Sequence, residues 1–391
     1  MKHKTAYPFL VLGALIGLNS CEKTLEFTDE EVHPFLVVNC RLIPGEVVEV
    51  ELTRTLHILD ESDYFAPVKN ARLTISNGLQ ESLDFEYVGS YDSTMIYDPK
   101  TRTYLYEKLE KGVYRNPSFP VEAGKTYTLI AEADGMESIR AETSIPESPE
   151  ITRIDTLSER FHDDYSTWIE RKAKITFSDP ASSRNYYDLK VIRAQMFISF
   201  DPYSPEPFVS YSLNNNNIDS DDPVFNRDES DILGDLFSSS LNLTLFDDAL
   251  INGKTYTLSF TFDRDFIPSY DEKNYNGGEF PVSQTYVFNV YKIQLNALDE
   301  AFFQYSLTSM AQKFRGSDFF SEPVLVYTNI KNGAGFMGSY IQNASYLISH
   351  NFTEEMLALL PEGDAESLFL YINEEAKKEQ YPYYNYEYYE Y

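Results

Sequence analysis

The feature that most constrains this chain is a period of two. In VVEVELTRT (47–55), Val48, Val50 and Leu52 fall on one side and Glu49, Glu51 and Thr53 on the other. Successive strand side chains point to opposite faces, so this spacing predicts a strand with one buried and one wet face. A helix would scatter the same residues around its axis. Turn signals punctuate the pattern. Pro44-Gly45 predicts a hairpin of 35–43 with 47–55, and Asn77-Gly78 closes a strand in VKNARLTISNG (68–78). Asp134-Gly135 separates AGKTYTLIAEADG (123–135) from ESIRAETSIP (137–146). The 31 Tyr and 27 Phe reinforce this, because aromatic residues pack well on pleated surfaces.

After PESPE (146–150), which reads as a linker, the theme restarts. Strands are expected at 171–180, 185–200, 253–262, 284–295, 322–330 and 338–349. GKTYTLSFTF (253–262) echoes GKTYTLIAEA (124–133), either as a true internal repeat or as a common solution for a strand after a glycine turn. NALDEAFFQYSLTSMAQKF (296–314) is the best helix candidate, with Asn296 as cap and Leu298, Ala301, Phe302 and Tyr305 on one face. The expected fold is therefore all-β: two immunoglobulin/fibronectin-like β-sandwich domains in tandem, at 33–146 and 150–351, with one short helix near 296–314. Residues 352–391 read as an acidic, Tyr-rich tail, with a short helix near 353–360 and seven Tyr in YPYYNYEYYEY (381–391).

The N-terminus is of another kind. Lys2 and Lys4 precede an apolar run from Ala6 to Leu18, too short to span a bilayer, which needs ~20 residues. Leu18-Asn19-Ser20-Cys21 resembles a bacterial lipobox. The resemblance implies a signal peptide at 1–20, cleavage before Cys21, and lipidation of Cys21 with a diacylglyceryl thioether and an added acyl chain such as palmitate. Two or more chains anchor firmly where one does not. Residues 21–32 form a polar tether, and its acidic residues resemble the surface-export signal of Bacteroidota lipoproteins.

Loss of residues 1–20, with two Lys and no acid, takes the formal charge from −30 to −32. So acidic a chain repels phosphate backbones, which argues against nucleic acid as a partner. Cys40 is left without a second thiol once Cys21 is lipidated, so no intramolecular disulfide forms. In FLVVNCRLI it shares a face with Leu36, Val38 and Leu42, which predicts a core position.

Motifs of chemistry are sparse. His33, His57, His162 and His350 show no paired ligand spacing and no H-E-x-x-H, and G-x-S-x-G is absent. Carboxylates are too abundant for any one pair to stand out as catalytic. In NNNNIDSDDPVFNRDESD (214–231), Asp219, Asp221 and Asp222 read either as calcium ligands or as Asx turns, and the spacing is not that of an EF-hand. Gly333, Gly335 and Gly338 match G-x-G-x-x-G. A dinucleotide site needs a helix directly after the glycines, and S-Y-I-Q-N-A-S-Y-L-I has no helical period. These glycines are expected to form a tight loop or bulge between two late strands. The reading has no catalytic residue, no cofactor and no bound metal.

Taken in order, several segments resemble one family. They are LVVNCRLIPGE (36–46), PVKNARLTISNG (67–78), VEAGKTYTLIAEADG (121–135) and SIP (144–146). They continue with FSDPASSRNYYDLKV (177–191), DDPVF (221–225), FDDALINGKTYTL (246–258), ALDEAFFQYSLTS (297–309) and NIKNGAGFMGSY (329–340). The chain resembles the Bacteroidota lipoproteins grouped as domain of unknown function 4249, with Cys40 standing where the family usually has Gly. The resemblance implies a two-sandwich lipoprotein of the outer membrane, displayed at the cell surface, with a non-catalytic role as accessory or substrate-capture partner of a TonB-dependent receptor. The alternative is an adhesin or structural component of the cell envelope. Loops 58–67, 201–235 and 263–283 and the Tyr tail are the expected contact surfaces.

Overall fold

Leu36, Val38, Cys40 and Leu42 turn inward from β1 (Leu36–Leu42), as the alternation requires, and β2 (Val48–Arg54) returns antiparallel to it with Val48, Val50 and Leu52 buried. The structure, a computed structural model, describes residues 33–56, 66–77, 82–98, 103–163, 167–181, 183–201, 203–204, 206–225, 244–267, 284–315, 324–350 and 360–380.

The first half continues with β3 (Ala66–Pro67), β4 (Arg72–Ser76), β5 (Ser82–Tyr87), β6 (Ser90–Asp98), β7 (Thr103–Lys111) and β8 (Val113–Asn116). It closes with β9 (Thr126–Glu132) and β10 (Ile139–Ser144). The second half holds β11 (Glu150–His162), β12 (Thr167–Ser178), β13 (Tyr186–Phe200), β14 (Phe208–Asn215), β15 (Leu245–Asp247) and β16 (Thr255–Ile267). Then come β17 (Gln284–Leu298), helix α1 (Glu300–Arg315), β18 (Ala334–Ile341), β19 (Ala344–His350) and helix α2 (Ala365–Gln380).

One hydrogen-bonded path runs β10-β9-β4-β5-β8-β2-β1-β18-β17-β13-β14, with β3, β15 and β19 paired beside it. β11, β12 and β16 form a separate three-stranded sheet, and β6 with β7 a ribbon. The path curls, so that β1, β2, β4, β9 and β10 enclose one core containing Val38, Val50, Ile75, Leu129 and Ile139. Ile330 and Met337, from far along the chain, complete that core. The link is β18, which pairs parallel with β1 from Val37↔Ala334 to Leu42↔Ser339. Among the described residues this is the one parallel strand pair.

β13 and β17 serve two cores on opposite faces. Tyr187, Leu189 and Val191, with Tyr291, Ile293 and Leu295, pack against Ile175, Leu258 and Phe260 of the three-stranded sheet. Further along, the opposite parity takes over: Ala194, Met196, Ile198, Phe288 and Val290 meet Leu368, Phe369 and Ile372 of α2. Period-two alternation lets one long strand contribute to both.

Three expectations change here. A second helix, α2, lies further along the tail than the short helix expected near 353–360, of which 353–359 lie outside the described residues. Asp364 starts it by accepting from the Ser367 amide at 2.9 Å, and its apolar stripe is buried on the sheet. Residues 324–330 do not pair as a strand, and 338–349 is divided by Gln342-Asn343 between β18 and β19. Asn296 does not cap α1: β17 runs on through Leu298, and Asp299 is the cap, accepting from Phe302 N at 2.8 Å.

The two GKTY segments share a local solution. Gly124 and Gly253 have φ +71° and +70°, and the carbonyls of Lys125 and Lys254 accept from Ile145 N and Asp179 N at 2.8 and 3.0 Å. Their pairings differ: β9 lies between β10 and β4, whereas β16 pairs with β12.

Candidate functional site

The end of β17 is a junction. Asp299 Oδ1 accepts from Phe302 N at 2.8 Å and from Ser339 N at 3.0 Å, and Thr143 Oγ1 donates to Oδ2. One carboxylate therefore ties α1, β18 and β10 together. Burial pushes its pKa above the usual carboxylate range, while the donors from Thr143, Ser339 and Phe302 pull the other way.

The glycines that match G-x-G-x-x-G build this junction by letting backbones approach, instead of forming the expected loop or bulge between two strands. Gly335 and Gly338 lie inside β18. A Cβ on Gly335 would sit 2.0 Å from the Val38 carbonyl oxygen, and its φ is +92°. A Cβ on Gly338 would sit 2.8 Å from Phe302 Cβ, so the bare Cα lets α1 settle on the sheet. Phe302 then packs on Phe336 and Tyr340, with ring centroids 5.8 and 5.2 Å away.

Beside this packing lies a cleft of about 330 Å³. Arg41 of β1, Asp188 and Lys190 of β13, Thr244, Leu245, Asn296 and Leu298 line one part of it. Phe302, Ser306 and Met310 of α1 and Tyr340 of β18 line the rest. Asp188 is buried and already engaged: Lys190 Nζ lies at 2.7 Å and Thr244 Oγ1 donates at 3.1 Å. Asn296, opposite Asp188 in the β13–β17 register, is only 3% exposed. Its side-chain oxygen has no hydrogen-bond partner among the described residues. A buried polar atom left unpaired costs roughly 1–3 kcal/mol, so such atoms are uncommon in folded chains. Burial and Glu46 raise the Tyr340 pKa, while Lys190, a hydrogen bond with Gln342 and Arg41 act in the opposite direction.

A second hollow of about 410 Å³ lies between 144–147 and Arg184, Tyr186 and Glu300. There Arg184 lies 2.7 Å from Asp247.

Elsewhere, a buried ionic network fills the far end of the second core. Arg171 Nη1 lies 3.0 Å from Asp263 and 2.6 Å from Asp265, and Arg193 Nη1 lies 3.0 and 3.3 Å from the same pair. Tyr291 OH also donates to Asp263, and burial followed by that neighbouring charge pushes its pKa upward. This network has the character of an internal clamp between β12, β13, β16 and β17.

The residues singled out in the sequence fall as follows. Cys21, the signal peptide and the tether lie outside the described residues, as do 57–65, 226–243, 268–283 and the Tyr tail. Cys40 is in the core, and burial pushes its thiol up to about 12. Asp222 accepts from Tyr256 OH at 2.6 Å and from Val224 N at 3.2 Å, the second of these an Asx-type turn contact. Asp219 pairs through its backbone with Thr261. Among the described residues no three His, Cys, Asp or Glu side chains group as a metal site would.

The cleft residues were missed because they come from five separate segments. Asn296 drew notice as a helix cap, and Leu298 and Phe302 as part of that helix's apolar face. The better signal was Asp299-Glu300, an acidic start directly before the helical apolar spacing.

The chain belongs to a family of unestablished activity: the model described as Domain of unknown function (DUF4249) matches residues 22–344. No curated protein matches. One similar solved structure is described as "Structural basis for the promiscuous specificity of the carbohydrate- binding modules from the beta-sandwich super family". It shares 6% identity, covering 66% of this chain and 97% of that one, at a TM-score of 0.15, which carries no argument.

Proposed function

We propose that this member of the family is a non-catalytic capture lipoprotein of the bacterial outer membrane, anchored through Cys21, displayed at the surface and working beside a TonB-dependent receptor in nutrient uptake. The observation that carries the reading is the cleft: a half-open, mixed polar and apolar site with a buried carboxamide whose oxygen has no partner among the described residues, set where β1, β13, β17, β18 and α1 meet. Ligand sites favour such junctions and use a few placed polar groups among apolar walls. Capture needs a firm scaffold and a site, and it asks for no nucleophile or general base. The scaffold fits two immunoglobulin/fibronectin-like lobes that share β18. A lipid anchor would hold the site beside a receptor in the same membrane and raise their effective concentration.

The test is a mild-detergent pull-down of the tagged full-length protein from its native membrane. A barrel receptor recovered in near-equal amount is the expected result. A clean monomer, from cells shown to express such a receptor, would overturn the partnership.

One observation favours the second reading, an adhesin or structural envelope component. β11 is a 13-residue strand that pairs with β12 on one side and has no strand partner on the other among the described residues. Such an edge can accept a strand from another chain. Self-association of the purified protein, abolished by a proline within β11, would favour this role over capture.

A further inference from the structure

We propose that the cleft binds a small organic carboxylate, with its anion on Arg41 and Lys190, a hydrogen-bonding group on Asn296, and an apolar body against Phe302 and Tyr340. The inference rests on the capture reading and names its ligand class.

The sign of the ligand follows from which charges are free. Asp188, the one carboxylate lining the cleft among the described residues, is engaged by Lys190 and Thr244. Arg41 lines the cleft, with Cζ 6.0 Å from the Phe336 ring centroid and no carboxylate partner among the described residues. Guanidinium presents a planar fork that matches a carboxylate bidentately. Lys190 uses one of three donors on Asp188 and is half exposed, so it can add a second contact. A formal charge of −30 does not forbid an anion here, since bulk salt screens distant charges beyond about 8 Å and within the cleft Arg41 and Lys190 together outweigh Asp188.

The remaining features set the body of the ligand. Asn296 offers a buried carboxamide whose oxygen awaits a donor, such as an amide N–H or a hydroxyl. Phe302 and Tyr340 give an aromatic wall, and Met310 of α1 adds an adaptable one. A volume of about 330 Å³ suits a small molecule and is too small for a folded partner. An acylated amino acid or a short peptide end has this combination of carboxylate, amide and side chain.

Asn296 also shows a mark of function over stability. Replacing a buried unpaired polar group by an apolar one of similar size removes a cost, so a chain selected only for stability has no use for it.

The test is calorimetric titration of the detergent-solubilised full-length protein with N-acetyl-L-phenylalaninate, with its carboxamide twin and phenethylammonium as controls. Saturable binding of the carboxylate is expected, at least tenfold tighter than either control. Arg41→Gln, on the exposed rim, should abolish that preference. Asn296→Leu should weaken carboxylate binding at least tenfold while leaving the melting temperature unchanged or raised. The proposal is overturned if the carboxylate gives no saturable heat, if either control binds as well, or if Arg41→Gln keeps the preference. It is also overturned if Asn296→Leu lowers the melting temperature, since Asn296 would then be structural. A receptor that co-purifies while the carboxylate fails would sink this inference alone, and the converse result would sink the partnership alone.

Discussion

The carboxylate of Asp299 accepts from the backbone of Ser339, forty residues later, at 3.0 Å, with the same oxygen that caps α1. Local helix capping and long-range assembly thus meet in one atom. Asp299→Ala removes the cap and leaves the Ser339 amide without its acceptor. A loss of about 2–4 kcal/mol is expected by denaturant titration.

The same residue gives a pH signature. Burial raises the Asp299 pKa above its ordinary 3.8, so between those values the folded state holds more protons than the unfolded one. Its contribution is full below the unfolded pKa and declines as pH rises through the folded value. Asp299→Asn keeps an acceptor without the titration. The stability of wild type relative to Asp299→Asn should therefore fall as pH increases from about 3.8. A difference that stays flat with pH, or rises, would show that burial does not dominate.

Gly335 and Gly45 both have positive φ, at +92° and +86°, yet they face different surroundings. A Cβ at Gly45 meets nothing within 4 Å, whereas at Gly335 it meets Val38 O at 2.0 Å. Gly45→Ala should cost ~1–2 kcal/mol, the conformational term alone. Gly335→Ala should cost at least ~4 kcal/mol or prevent folding, because the β1–β18 pairing must separate. Equal midpoints in urea would refute this account of the motif.

In the buried network, Arg171→Met leaves Asp263 and Asp265 with Arg193 as their remaining cation. Breaking one side of a buried pair costs roughly 3–5 kcal/mol. Asp263 is reached by Arg171, Arg193 and Tyr291, so the double variant Arg171→Met with Asp263→Leu should be less destabilised than the sum of the two singles, by ~1 kcal/mol or more. A double-mutant cycle that is additive would count against a coupled clamp.

Cys21→Ala removes the sulfur on which the proposed anchor is built. The variant is expected either in the soluble fraction or as an uncleaved precursor. If it fractionates with the outer membrane as wild type does, the lipobox reading is wrong.

The sequence by itself determined the class of structure and the facing of individual residues. Val48, Val50 and Leu52 alternate with Glu49, Glu51 and Thr53, and all three apolar residues are buried. Cys40 shares its parity with Leu36 and Val38 and lies with them in the core. Gly45, Gly124 and Gly135 take the positive φ that their turns need. These outcomes are local: strand parity and turn conformation depend on a few neighbouring residues. The choice of partner strand is not local. Nothing in GAGFMGSYI says that it pairs parallel with LVVNCRL some three hundred residues earlier, because that pairing depends on how well two distant surfaces fill one core. The glycines therefore looked like a loop, when their use is to admit Val38 and Phe302 against the backbone. Asn296 looked like a cap for the same reason. Its parity in β17 places it beside Asp188, and only the arrival of Arg41, Phe302 and Tyr340 from elsewhere in the chain turns that position into the floor of a cleft.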